Sequence, residues 1–186
     1  MTLRLITPPT QRPIDLDIAR QHLRQDSGAD DVMIELYLAA AVQSVQDMTG
    51  RALLPQTWEY RLDVPAGCVS QPLQIPLAPL LSVESVMLDG VAVAPDAYGA
   101  VMPSGPTCGR GFLDLGDASG AAVIRFRAGY EAPQMVPAAL QAAVLLALGS
   151  LYENREAEAE KSGTTARMLA ENPAYMRLLR PYMLIG

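Results

Sequence analysis

The hydrophobic period of the chain changes near residue 50, and this change most constrains the fold. From Ile34 to Met48, apolar residues recur at spacings of four and three, as in a helix packed against another helix. From Gln56 the spacing becomes two, which is typical of a half-buried strand. Gly50 lies at the change, where a left-handed residue commonly ends a helix. The chain must therefore combine helix packing with a β-sheet.

Three further segments have helical patterns. A short helix is predicted over residues 15–25, where apolar residues recur at spacings of three and four. A second long helix starts at Pro137, which suits a first helical turn, and residues 138–152 are apolar on nearly every side. We expect this helix to continue through the charged residues 153–161. A last short helix is predicted over residues 165–179.

The middle of the chain has the signals of an antiparallel sheet. Strands are predicted over residues 56–64, 111–115 and 122–128, and a hairpin over residues 83–93 around Asp89-Gly90. Residues 1–13 contain three prolines and are predicted to form an extended arm.

These elements predict the α+β class. The expected architecture is an α-helical bundle of two long helices plus short helices, with a small, mostly antiparallel β-sheet inserted between the long helices. A length of 186 residues suits a single domain. We expect that domain to consist of an arm and helices (1–54), an inserted β region (55–130), a long helix (131–162), and a short helix with a tail (163–186).

Charge and residue types argue against catalysis and against nucleic-acid binding. The formal net charge is −6, and an acidic surface repels phosphate backbones. His22 is the only histidine, which excludes a multi-histidine metal site. The acidic pairs Asp15/Asp17 and Asp30/Asp31 lie where helices start, so the helix dipole explains them without a metal. No phosphate-binding loop of the Walker type is present. We expect no catalytic site, cofactor or metal.

The chain also lacks the signals of a secreted or membrane protein. Its two cysteines, Cys68 and Cys108, lie in loops, and free thiols are favoured over a disulfide between them. The N-terminus has no long apolar run of the kind found in signal peptides. The apolar helix is about 16 residues long, short of the roughly 20 that span a bilayer. A reducing cytoplasm and no membrane are therefore expected.

Eight short segments, in this order and spacing, resemble the head–tail connector (adaptor) family of tailed bacteriophages and related gene transfer agents, in its larger, sheet-containing branch. The segments are Ile18-Ala19-Arg20-Gln21-His22-Leu23-Arg24, Thr49-Gly50-Arg51-Ala52-Leu53, Gln56-Thr57-Trp58, Pro76-Leu77-Ala78-Pro79-Leu80, Val83-Glu84-Ser85-Val86, Arg125-Phe126-Arg127-Ala128-Gly129-Tyr130, Val136-Pro137-Ala138-Ala139-Leu140 and Tyr152-Glu153-Asn154-Arg155-Glu156.

The resemblance implies a structural protein of the virion neck, made in the bacterial cytoplasm. Such connectors form a homo-oligomeric ring, typically of twelve subunits, beneath the portal protein. The ring extends the DNA channel, through which DNA passes without specific binding, and it offers a platform for the next neck, stopper or tail protein.

Three sets of site residues follow from this reading. The apolar helix supplies a predicted subunit interface, formed by Leu140, Val144, Leu148 and Leu151. The acidic continuation of that helix is expected near the channel or an axial face, where it would repel phosphates, with Glu153, Glu156, Glu158 and Glu160. The apolar C-terminus docks on the chain's own core or on a partner, and we expect it to contact the portal through Tyr182, Met183, Leu184 and Ile185.

Three other readings stay open at this stage. The chain could be another neck or tail-completion protein, a stopper or terminator, which would bind further from the portal. It could be a small hydrolase or transferase that uses Asp15/Asp17 or His22, although their spacing favours neither. It could also be a bacterial module whose sheet holds a small ligand, although no convergent set of polar groups is evident.

Overall fold

The computed structural model describes residues 1–25, 28–65, 72–105, 107–153 and 172–184, which belong to two compact units. The sheet unit contains Met1–Gln11 and Leu54–Ala132. The helical unit contains Arg12–Leu53 and Pro133–Gly186. The single domain with four successive parts stays a prediction.

Two antiparallel sheets form the sheet unit. The larger sheet has five strands in the order β1-β2-β8-β4-β5, and the smaller sheet has three in the order β3-β7-β6. In chain order the strands are β1 (Thr2–Thr7), β2 (Gln56–Val64), β3 (Leu73–Gln74), β4 (Leu80–Leu88), β5 (Val91–Val93), β6 (Gly99–Val101), β7 (Phe112–Asp114) and β8 (Gly120–Ala128). A single 3-10 turn, Pro95–Ala97, lies between β5 and β6.

The predicted strand over residues 56–64 is confirmed as β2. Tyr60 and Leu62 are buried while Arg61 is exposed, as the period of two requires. The predicted hairpin is also confirmed, because Asp89 and Gly90 join β4 to β5 with φ angles of 49° and 82°. A turn with positive φ at both central residues has a backbone twist that matches the twist of the strands on either side.

Four α-helices form the described part of the helical unit. They are α1 (Leu16–Leu23), α2 (Asp31–Thr49), α3 (Ala138–Glu153) and α4 (Pro173–Leu179), with 3-10 turns at Gly28–Asp30, Pro133–Met135 and Arg180–Tyr182. Helix α2 packs against α3, α1 packs against both, and α4 packs mainly against α3. Among the described residues, no helix combines the length and hydropathy that a membrane crossing needs.

The apolar residues that recur along α2 at spacings of four and three form its buried side. Ile34, Leu38, Ala41 and Val45 all lie inside, and only Met48 stays half-buried. Gly50 ends the helix with a φ of 68°, and its amide donates to the carbonyl oxygen of Gln46. The predicted last helix is confirmed from Pro173 onward. Residues 165–171, like the predicted continuation through 154–161, lie outside the described residues.

The predicted architecture of a small sheet inserted between two long helices is wrong. The N-terminal segment is not a separate arm, because β1 pairs with β2 and forms an edge of the five-stranded sheet. A second sheet uses three very short strands in the loop-rich region. Helices α2 and α3 do not flank a small sheet but pack together in a unit of four described helices.

Candidate assembly surfaces

The C-terminal segment packs on the end of α2 within the helical unit. The side chain of Arg51 is 1% exposed, and its Nε donates to the carbonyl oxygen of Tyr182 at 2.6 Å. The guanidinium carbon also lies 5.9 Å from the centroid of the Tyr182 ring, within the range of a cation–π contact. The amide of Leu184 donates to the carbonyl oxygen of Thr49 at 3.1 Å. The chain itself therefore holds Tyr182 and Leu184.

Helix α4, which directly precedes this segment, is also held in the helical unit. The Asn172 side chain accepts hydrogen bonds from the amides of Ala174 and Tyr175, at 3.0 and 3.3 Å, and so caps the helix. Tyr175 and Leu179 are both fully buried. Burial raises the pKa of the Tyr175 phenol.

The predicted portal-docking residues are thus mainly engaged within their own chain. Tyr182 and Leu184 are half-buried, whereas Met183 is exposed. Ile185 lies outside the described residues. The contact of this segment with a portal protein stays a prediction. Among Tyr182, Met183 and Leu184, Met183 has the most exposed side chain.

Helix α3 places most of its predicted interface residues inside the single chain. Leu140, Val144 and Leu148 have no exposed surface, and Leu151 is half-buried. Near the end of the helix, the Tyr152 ring meets the Tyr37 ring edge-on, with centroids 6.5 Å apart. The subunit interface on α3 stays a prediction, but three of its four residues already have a full set of neighbours.

Of the four predicted channel residues, the structure describes one. Glu153 is the last described residue of α3 and is exposed. Glu156, Glu158 and Glu160 lie outside the described residues. Their placement at a channel or axial face stays a prediction.

Helix α2 carries an exposed apolar strip that the sequence analysis missed. Val32 is 80% exposed, Leu36 60% and Met33 44%, and Ala39 and Ala40 are exposed as well. These residues lie on the side of α2 that does not pack against α3. The signal was present in the sequence, since apolar residues occur both on and off the buried stripe.

Ion pairs neutralise the carboxylates beside this strip. Arg20 binds both Asp17 and Asp31, with Nε of Arg20 donating to Oδ1 of Asp31 at 2.7 Å. The Arg20 hydrogen bond lowers the pKa of the Asp31 carboxyl. Arg12 binds Glu35 at 3.0 Å. Each of the two acids in the first turns of α2 is therefore paired with an arginine of the same unit, and Arg20 is shared with Asp17.

A row of charges crosses one face of the five-stranded sheet. Glu59 of β2 is only 3% exposed and accepts hydrogen bonds from Arg61 at 2.8 Å and from Arg125 of β8 at 3.0 Å. These bonds, Arg61 first, lower the pKa of the Glu59 carboxyl. Arg4 of β1 lies opposite Glu59 in the register, and Arg127 is exposed on the same face of β8. This face of the sheet is polar.

The described residues bring together no constellation suited to catalysis. His22 is exposed on α1. No cluster of three or more His, Cys, Asp or Glu side chains in the described ranges could hold a metal. Cys108 is buried, and Cys68 lies outside the described residues. A groove of about 290 Å³ in the sheet unit is lined partly by Pro8 and Pro9, with Arg127 and Glu131 as its charged members.

Comparisons with known proteins give the fold a context. No protein-family model and no curated protein matches the chain. A chain in the virion of a native gene transfer agent particle is similar, with a TM-score of 0.76 and 23% identity. Chains in the neck of an empty particle computed with C6 symmetry, and of a native particle computed with C12 symmetry, give TM-scores of 0.76 and 0.72 at 22% and 21% identity. Each match covers 100% of this chain and 97% of the other. The chain therefore shares, along its whole length, the fold of chains solved in gene transfer agent particles.

Proposed function

We propose that this chain is a structural neck protein of a tailed phage or gene transfer agent particle, in which it acts as the head–tail adaptor. It binds beneath the portal, extends the DNA channel and joins the head to the next neck or tail protein. The observation that carries the proposal is the match over the full length of both chains, since a shared single module would leave one of them partly uncovered. Its role is structural rather than catalytic.

The adaptor works as a closed homo-oligomeric ring, which we take to have twelve subunits. The similar chains belong to necks computed with C12 and C6 symmetry, and twelve copies satisfy both. A ring needs two different complementary surfaces on each subunit.

The acidic residues after α3 line the channel or an axial face of this ring. Each copy carries a net charge of −6, so a lumen lined with acids lets DNA pass without sticking. Changing Glu153, Glu156, Glu158 and Glu160 to lysine slows DNA ejection. The matched control changes four exposed acids of the sheet unit to lysine: Asp63, Asp96, Asp117 and Glu131. Ejection rates equal to those of the control argue against this placement.

The C-terminal segment provides the contact with the portal. Deletion of residues 182–185 is a poor test, because it also removes the acceptor that Tyr182 offers to the buried Arg51. Met183→Glu is cleaner, since this side chain is exposed. We expect the substitution to weaken portal binding while the circular dichroism spectrum is unchanged. Arg177→Glu, an exposed change on α4, is the control. Undiminished binding by the Met183 variant contradicts the contact.

The adaptor role as a whole is tested by electron microscopy of particles made without this gene. DNA-filled or leaking heads beside separate, finished tails are the expected result. Normal tailed particles would show that the chain has no role in joining head to tail.

Binding to the isolated portal separates an adaptor from a stopper or terminator. An adaptor binds the portal directly, so it is retained on immobilised portal rings without any other neck protein. A stopper or terminator is retained only when the adaptor is supplied as well. That second pattern would move this chain further down the neck.

A further inference from the structure

The apolar strip of α2 has the composition of a protein contact. Its members, Val32, Met33, Leu36, Ala39 and Ala40, follow one another at helical spacings, and Gln43 continues the row. From residue 32 to residue 43 the strip is about 16 Å long. Contiguous exposed apolar surface on a small protein marks an interaction site. The two alanines also let a neighbouring element approach closely.

The charges around the strip decide what kind of partner it fits. Arg20 and Arg12 neutralise Asp31 and Glu35, the only acids in the first half of α2. Helix α2 contains no lysine or arginine. The strip is thus uncharged and lacks cations to attract a phosphate backbone, so a nucleic acid gains nothing there. An apolar protein surface that packs on the strip is stabilised, because apolar area is removed from water.

We infer that this strip packs against a second copy of the chain, at a surface of that copy other than its own α2. The inference rests on the proposed function and names the subunit contact of the ring. Copies that each carry −6 repel one another, and a strip with balanced carboxylates is a place where two copies can meet at little electrostatic cost. The contact joins unlike surfaces, since pairing of like surfaces closes a dimer and cannot continue into a ring. Leu140, Val144 and Leu148 of helix α3 are already covered within the chain and offer no surface to the strip.

Photo-crosslinking in assembled particles tests the inference. A benzophenone amino acid replaces Leu36 in the full-length chain, particles are irradiated, and crosslinked peptides are identified by mass spectrometry. The expected product joins residue 36 to a peptide of a second copy that lies outside α2. The same probe at Gln21, an exposed polar position of α1, is the control and gives much less of this product.

Other products overturn the inference. A crosslink from residue 36 to a different protein means that the strip faces the portal or another neck protein. A crosslink between two α2 helices means a two-fold contact. The absence of any crosslink in particles that contain the chain means that the strip faces solvent. Absence of the chain from purified particles is a separate result, because it contradicts the proposed function itself.

A charged substitution gives an independent measurement. Leu36→Asp lowers the number of copies per particle by at least about tenfold, which corresponds to about 1.4 kcal/mol per subunit contact. Val91→Asp, which alters a valine of β5 that is also mostly exposed, is the matched control. Equal incorporation of the Leu36 variant and the unmodified chain contradicts the inference.

Discussion

Helices α2 and α3 are both rich in apolar residues, but the chain covers only one of them well. Every residue of the predicted interface on α3 is buried or half-buried. On α2, Val32 and Leu36 are mostly exposed although the opposite side of the helix is buried. Composition alone therefore does not say which helix offers a surface to other subunits. The partners inside the chain decide it, because α1, α2 and α4 together surround α3.

The difference also shows that an apolar helix can have two roles, which are to stabilise the fold and to offer a surface for assembly. Helix α3 is the centre of the helical unit, so its side chains stabilise the fold. Helix α2 supplies core residues on one side and a free apolar strip on the other. A substitution in α3 should therefore change stability first, and a substitution in the α2 strip should change assembly first.

The largest expected effect comes from placing a charge in the centre of α3. Leu148→Asp leaves an unpaired carboxylate at a position with no exposed surface and lowers the free energy of unfolding by about 4 kcal/mol. Urea unfolding followed by circular dichroism measures this change. The control Leu148→Met keeps the volume and costs less than about 1.5 kcal/mol. A charged variant as stable as this control would mean that α3 is not the core of its unit.

The next effect concerns Arg51 at the end of α2. Arg51→Met keeps the apolar stem but removes the donor to the Tyr182 carbonyl oxygen, and we expect a loss of about 2 kcal/mol. The C-terminus should also become more accessible to carboxypeptidase. Arg177→Met, on the exposed side of α4, changes stability by less than about 0.5 kcal/mol. Unchanged protease resistance of the Arg51 variant would show that this contact does not hold the C-terminal segment.

Features with a local cause were predictable from the sequence. The end of α2 at Gly50, the alternation along β2 and the Asp89-Gly90 hairpin each depend on the residues within the element, and each is found. Asp30 makes a non-local contact at the start of the same helix. It stands at the N-cap of α2, but its side chain makes no capping bond and instead accepts a hydrogen bond from Tyr152 of α3 at 2.7 Å.

Features that depend on distant partners were not predictable. The N-terminal segment was expected to be an arm because of its prolines, but these follow Thr7, and the residues before them pair with β2. The short strands of the second sheet have too few residues for a period to show. The predicted interface on α3 was based on the apolar residues found on nearly every side of that helix. The cover that α4 provides, through Tyr175 and Leu179, has no signature in the sequence of α3.

A smaller, pH-dependent effect on stability is expected in the sheet unit, where the buried carboxylate of Glu59 is paired with two arginines. Two arginines lower the pKa of Glu59 below its ordinary value of 4.5. The stabilisation is therefore present above that value and is lost as the pH falls through the lower pKa of the folded state. Glu59→Gln should cost about 1 kcal/mol at pH 7, because the arginines are partly exposed, and the difference should shrink in acid. Unfolding curves at pH 7 and pH 3 measure it. A difference that grows in acid contradicts this account.

The smallest effect on stability is expected in the α2 strip itself. Leu36 is mostly exposed in the single chain, so Leu36→Gln removes little burial, and glutamine is a good helix former. The free energy of unfolding of the isolated chain should change by less than about 0.5 kcal/mol. Leu38→Gln, two residues along the same helix, buries an amide in the core and costs about 3 kcal/mol. Parallel urea titrations of the two variants give the ratio directly. A large loss at Leu36 would mean that the strip is covered by the chain itself, and the contrast between α2 and α3 would disappear.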